Sequence, residues 1–155
     1  MKLTTNQDIQ APIEHLFASV SDFEGFTRQA LRRGAEVSRM DTVTAIDEGM
    51  IWQTAFDFRG KRRQMRIELT EFDKPNRLAA HSTMPGMTGA LVMDLVALSR
   101  QHTRLSIDIQ LAPQSLSARL LVQSLKLARG NLTKRLSKRL AEFARQTEES
   151  YQRIS

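Results

Sequence analysis

A single change of hydrophobic period constrains this chain more than any other feature. Between Ala35 and Leu111 the apolar residues recur chiefly at every second position, and after Pro113 they recur at helical spacing to about Gln152. A run of antiparallel strands with one wet face must cover the other face. Only the C-terminal segment is large enough to do so. The pattern predicts an α+β chain of helix-grip type, in which a curved antiparallel sheet of about seven strands surrounds one long C-terminal helix.

The finer reading follows the same rules. Leu3, Thr5, Gln7 and Ile9 alternate with Lys2, Thr4, Asn6 and Asp8, which predicts a first strand. Ala11-Pro12 ends it, and Pro12 suits the first turn of a helix, where its missing N–H costs little. Ile13, Leu16, Phe17 and Val20 follow helical spacing. Ser21-Asp22 reads as a break and a new N-cap before a second short helix over Phe23 to Leu31, anchored by Phe23 and Phe26. A strand is expected over Glu36 to Thr44. Met50, Trp52, Thr54, Phe56 and Phe58 then share a face of the next strand, and Met65, Ile67 and Leu69 share a face of its return across the Arg59-Gly60-Lys61 hairpin signal. Further strands are expected over Leu78 to Met84, Leu91 to Ser99 and Thr103 to Leu111, with turns at Asp73 to Asn76, Pro85 to Met87 and Arg100-Gln101. A helix from about Ser115 to about Gln152 carries an inner stripe that includes Leu125, Leu132, Leu140 and Phe143. Gly130-Asn131 weakens its middle, where a kink is expected.

The 155 residues suit a single domain spanning 1–155, long enough to bury a core without staples. Cysteine is absent, which removes disulfides, thiolate metal sites and cysteine nucleophiles together and suits a reducing compartment. The first ten residues are polar, and no apolar run approaches the ~20 residues a membrane span needs. The expected location is cytoplasmic.

Charge is unevenly spread. Residues 1–114 hold 14 Lys/Arg and 14 Asp/Glu, whereas residues 115–155 hold 9 and 3, so the C-terminal segment carries the whole net charge of +6. Opposite its inner stripe lies a line of Leu116, Leu120, Leu127, Lys134, Lys138 and Arg145, apolar in its first half and basic in its second. A merely solvated face needs no leucines. The line suits weak contact with an anionic membrane surface, or burial against a loop or a second copy in a homodimer. Arg59, Lys61, Arg62, Arg63 and Arg66 form a second basic cluster on a hairpin. Nucleic-acid binding is disfavoured, because the basic clusters carry almost no aromatic side chains for stacking.

Catalytic signals are sparse. His15, His81 and His102 have no metal-ligand spacing, and no motif points to a cofactor. His15 and His102 are expected at the surface. His81 lies within a strand and is the one candidate for a polar ligand contact or a general base. Glu71 shares strand parity with Met65, Ile67 and Leu69, so it is the carboxylate most expected to face inward.

The opening strand running into Ala11-Pro12-Ile13-Glu14-His15-Leu16-Phe17 and Val20-Ser21-Asp22-Phe23, together with Leu69-Thr70-Glu71-Phe72-Asp73-Lys74-Pro75-Asn76-Arg77-Leu78 and the final strand and amphipathic helix, resembles the START-like (SRPBCC) superfamily, which includes polyketide cyclase/dehydrase-type proteins. The resemblance implies a cavity between the concave sheet face and the long helix. By strand parity and helix stripe, its lining is expected from Trp52, Phe56, Met65, Ile67, Met93 and Leu105, with Leu125 and Leu132 on the helix and Glu71 or His81 as polar contacts. The first expected function is binding, or binding and transport, of a hydrophobic small molecule or lipid. The alternative is a small cyclase- or dehydratase-like enzyme acting on a hydrophobic or polyketide-like substrate. Fold likeness alone does not choose between them.

Overall fold

A computed structural model describes residues 1–154. Seven strands form one antiparallel sheet: β1 (Lys2–Ile9), β2 (Glu36–Arg39), β3 (Ile51–Phe58), β4 (Lys61–Asp73), β5 (Arg77–Met84), β6 (Met87–Ser99) and β7 (His102–Pro113). Their order across the sheet is β1-β7-β6-β5-β4-β3-β2. The first two strands in the chain are therefore the two edges. The segment joining them, helices α1 (Ile13–Val20) and α2 (Phe23–Arg32), has to cross the concave face from one edge to the other.

Local chemistry explains where these helices begin and end. Pro12 precedes α1, and the Asp22 carboxylate caps α2 by accepting from the Gly25 N–H at 3.1 Å. Gly34, with φ of 89°, lets the chain leave α2 and enter β2. The β3–β4 hairpin turns through Arg59 and Gly60, both at positive φ (51° and 73°), as a two-residue type I′ connection requires.

β2 stops at Arg39, short of the Thr44 expected from periodicity. The cause is Asp41, whose side chain accepts from the backbone N–H of Val43 (2.9 Å) and Ile51 (2.7 Å) and from the Arg39 guanidinium (2.6 and 2.8 Å). The carboxylate gives these backbone donors a partner outside the ladder, so the strand ends and a loop forms over residues 40–50. The Arg39 guanidinium, and after it the Ile51 amide, hold the Asp41 carboxyl well below the usual carboxylate range.

The C-terminal segment is two helices, α3 (Leu116–Leu127) and α4 (Arg129–Ile154), interrupted at Ala128, two residues before the expected kink. Ser115 caps α3 through the Ala118 N–H. At 26 residues α4 is the long helix of the fold, and it lies against β1 and α1. Its buried positions are Leu140, Ala144 and Thr147. Leu16, Phe17 and Val20 of α1 plug the core beneath it, joined by Ile9, Leu69, Leu78, Leu95, Leu105 and Ile107 from the sheet. Phe17 is fully buried and packs at a tilt on Phe72, 5.2 Å between centroids. The buried Thr103 hydroxyl donates to the Ala11 carbonyl at 2.9 Å, tying the end of β1 to β7.

Unfolding experiments check these contacts. Phe17→Ala should lower unfolding stability by about 3–5 kcal/mol in a denaturant titration, and Thr103→Val, which strands the Ala11 carbonyl, by about 1–3 kcal/mol. Asp41→Asn should lower Tm at neutral pH. Because the folded carboxyl titrates below its unfolded value, its contribution is complete above about pH 4 and fades as pH falls further. The Tm gap between the wild type and Asp41→Asn should therefore close on acidification.

Candidate functional site

α4 covers the β1 end of the concave face, and α1 plugs the centre. Towards β2 only α2 lies above the sheet. α2 has apolar residues on one side, yet none of its residues is buried. Beneath it is an apolar cavity of about 270 Å³.

Strand periodicity builds the floor of this cavity. Trp52 and Thr54 of β3, Ile67 and Leu69 of β4, Leu78 and Ala80 of β5, and Leu91 and Met93 of β6 point to the same side. Their register sets them in rows: Trp52 opposite Ile67, Leu69 opposite Ala80 opposite Leu91, and Leu78 opposite Met93. Val37 closes the β2 edge. Phe23, Phe26, Thr27 and Ala30 of α2, with Val20 of α1, form the roof. Ala80 in the floor and Ala30 in the roof are small side chains, which leaves room between the two layers. Among the described residues, the polar side-chain groups of the lining are the hydroxyls of Thr27 and Thr54 and the indole N–H of Trp52, and Thr54 already donates to the Met65 carbonyl at 2.9 Å.

The cavity has different surroundings on its two sides. Phe23 packs on Trp52 (5.1 Å between centroids), and the Arg39 guanidinium, held by Asp41, sits 5.6 Å from the Trp52 ring centroid. On the other side Phe26 faces Phe143 of α4 at 6.4 Å. Phe26 also lines a larger polar groove of about 670 Å³ between α2 and α4, where Arg32, Arg33 and Arg139 stand with Asp22 and Glu142.

Of the residues singled out from sequence, Trp52, Ile67 and Met93 come together in the cavity. Phe56 and Met65 share its face of the sheet but lie further along β3 and β4, half-buried. Leu105 is packed into the core at 1% exposure. Leu125 is buried and Leu132 half-buried, and neither lines the cavity, because α2 supplies the helical wall there. The Glu71 parity is corrected by a β-bulge between Leu69 and Glu71, which shifts the register by one and turns Glu71 to the convex face. There it binds Arg77 at 2.8 Å, and Arg77 also binds both oxygens of Asp94 at 2.9 and 3.0 Å. His81 is exposed, on the face of β5 opposite Leu78 and Ala80. His102 is exposed and bonded to Ser99. His15, expected at the surface, is half-buried against Tyr151 (5.4 Å between centroids), with its Nε2 buried and without a hydrogen-bond partner. Lys134, Lys138 and Arg145 are exposed on α4, with Arg145 paired to Glu149 at 3.2 Å. Phe23 and Phe26, read from sequence as anchors of a short helix, are instead the roof of the cavity. Their spacing on α2, with Thr27 and Ala30, is that of any packed amphipathic helix, so no sequence signal singled them out.

No protein-family model matches the sequence, and no curated protein matches it either. Solved structures do. TTHA0849 from Thermus thermophilus is similar with a TM-score of 0.68 at 16% identity, over 97% of this chain and 99% of that one. The Zhui aromatase/cyclase from Streptomyces sp. R1128 is similar with a TM-score of 0.66 at 13% identity, over 96% and 93%. Ara h 8.0201 follows with a TM-score of 0.57 at 10% identity, over 92% and 98%. Among the described residues no helix is long and apolar enough to cross a membrane. Identities this low bear on the fold alone, and together with the seven-stranded sheet and the long C-terminal helix they show that the chain shares the helix-grip fold of these structures.

Proposed function

We propose that the chain binds a small hydrophobic molecule, or the apolar part of a lipid, in the cavity beneath α2. The observation that carries this reading is the apolar cavity itself, roofed by a helix with no buried residue. Because α2 contributes no fully buried side chain, it can lift to admit a ligand at lower cost than α1, whose Leu16, Phe17 and Val20 are locked into the core. The volume, about 270 Å³, lies near the small end of the ~300–1,000 Å³ usual for ligand pockets. It suits a compact ring system or a medium-length acyl chain.

The groove beyond Phe26 suggests the rest of the ligand. A molecule whose apolar body lies on Trp52, Leu69 and Met93 can pass a polar end by Phe26, where Arg32, Arg33 and Arg139 would meet a carboxylate or phosphate. One structural neighbour is an aromatase/cyclase, so this fold is compatible with chemistry. In this chain the lining offers an indole N–H and two hydroxyls, one of them already committed, and the residues with acid–base capacity lie outside it. That distribution supports binding over turnover.

Trp52 is the sole tryptophan and sits in the floor, so it reports occupancy directly. Titration with decanoic acid and with decanol should perturb its fluorescence saturably. Ala80→Phe, which fills the cavity, should weaken both ligands at least about tenfold while circular dichroism stays native. Replacing Arg32, Arg33 and Arg139 together by glutamine should weaken the acid several-fold and leave the alcohol unchanged. An Ala80→Phe protein that binds as tightly as the wild type would sink the cavity reading. Equal loss of acid and alcohol in the arginine variant would sink the headgroup assignment alone.

A further inference from the structure

α3 is apolar on two sides. Its inner side, Ala118, Val122 and Leu125, is buried, with Ala118 and Val122 set against Met87 and the partly buried Leu111. Its outer side carries Leu116, Leu120 and Leu127, which are 75%, 64% and 92% exposed. The three fall on one line, since four residues make just over one helical turn and eleven make about three. Single exposed leucines are ordinary. A ridge of three on one helix marks a contact surface.

The charge around the ridge is mainly of one sign, with Asp57 of the hairpin paired to Arg62 at 3.3 Å. From residue 109 to residue 141 the chain has no Asp or Glu, yet it carries Arg119, Lys126, Arg129, Lys134, Arg135, Lys138 and Arg139. The β3–β4 hairpin extends the same surface. Arg59 at its tip donates to the Ser124 hydroxyl of α3 at 2.7 Å. Next to it Phe58 is 39% exposed, flanked by the Arg59 and Arg63 guanidinium groups, each 5.8 Å from its ring centroid. Lys61 and Arg63 also line a cleft of about 370 Å³ against Ser115, Ser117 and Leu121 at the start of α3, and that lining contains no acidic side chain.

We infer that α3 and the β3–β4 hairpin form a docking surface for an anionic lipid bilayer. Leu116, Leu120 and Leu127 enter the acyl boundary, and Arg59, Lys61, Arg63, Arg119 and Lys126 meet the phosphate headgroups. A helix with an apolar ridge between cations is suited to lying in that interface. A second copy of the chain is a poorer occupant, because a two-fold contact would set this predominantly positive field against itself. A nucleic acid would use the cations and leave the leucines without a role. The inference rests on the surface alone and stands or falls independently of the cavity.

Co-sedimentation of the full chain with phosphatidylcholine vesicles, with and without phosphatidylglycerol, tests it. The wild type should sediment with the anionic vesicles at low salt and stay in solution with pure phosphatidylcholine. Leu120→Gln/Leu127→Gln and, separately, Arg119→Glu/Lys126→Glu should each weaken binding about tenfold or more. All four positions are exposed, so the fold should be kept, which Trp52 fluorescence will verify. Failure of the wild type to bind anionic vesicles would overturn the proposal. So would undiminished binding by the leucine variant, or a dimer in sedimentation velocity that the leucine variant dissolves.

Discussion

The architecture turns on how the concave face of the sheet is covered. Because β1 and β2 are the two edges, the connection between them must cross that face, and it does so as two helices of unequal commitment. α1 is driven into the sheet by Leu16, Phe17 and Val20, with 0%, 0% and 2% exposure. α2 has no buried residue. α4 then covers the β1 end, where Thr5 of β1 and Ser137 meet at 3.0 Å and the Gln10 N–H donates to Glu148. The sheet therefore has a solid half beneath α1 and α4 and a hollow half beneath α2. The hollow is a consequence of topology: seven strands present more apolar width than a core-forming helix of two turns and one long helix can bury.

Much of this was legible in the sequence, because period two and period 3.6 are set by backbone geometry. The alternation of Leu3, Thr5, Gln7 and Ile9 appears in the fold as alternate burial along β1. Trp52, Ile67 and Met93 meet in the cavity because strand parity put them on one face. Three of the readings that did not carry over share one cause, a local event that interrupts the period. The bulge at Leu69 and Glu71 reversed the face of one carboxylate. The Asp41 side chain ended β2 by offering backbone donors an alternative partner. Ala128, a good helix former, is where the C-terminal helix breaks, and its backbone N–H returns to Leu125 in the tighter three-residue pattern. Such events depend on tertiary fit, which a single sequence does not encode as periodicity. The role of α2 was hidden for a different reason. Its Phe23 and Phe26 have the spacing of any packed amphipathic helix, and the same spacing serves a roof over space.

Charges on the sheet are sorted by face. Arg77 bridges Glu71 and Asp94, and Arg104 forms a two-point pair with Asp8, all on the solvated side. The Arg104 pair is exposed and the Arg77 pairs are half-exposed, so solvent screens them and they add little stability. What they do is satisfy the carboxylates of the sheet locally. The cations of α3, α4 and the hairpin tip have far fewer carboxylates near them, which leaves one end of the molecule with an uncompensated positive field.

That field and the cavity are joined by one strand. β3 begins at the cavity floor with Trp52 and Thr54 and ends at Phe58, beside the basic tip of the hairpin. At ~3.3 Å per residue, six residues separate Trp52 from Phe58 by roughly 20 Å. The side chains between them on the concave face are mixed: Thr54 and Phe56 on β3, with Met65 and Arg63 opposite them on β4. Phe56 and, on the paired strand, Met65 are half-buried, too covered to be ordinary surface and too open to be core. The strand thus couples the two features mechanically: a shift of the hairpin tip is carried along β3 to the floor residues Trp52 and Thr54.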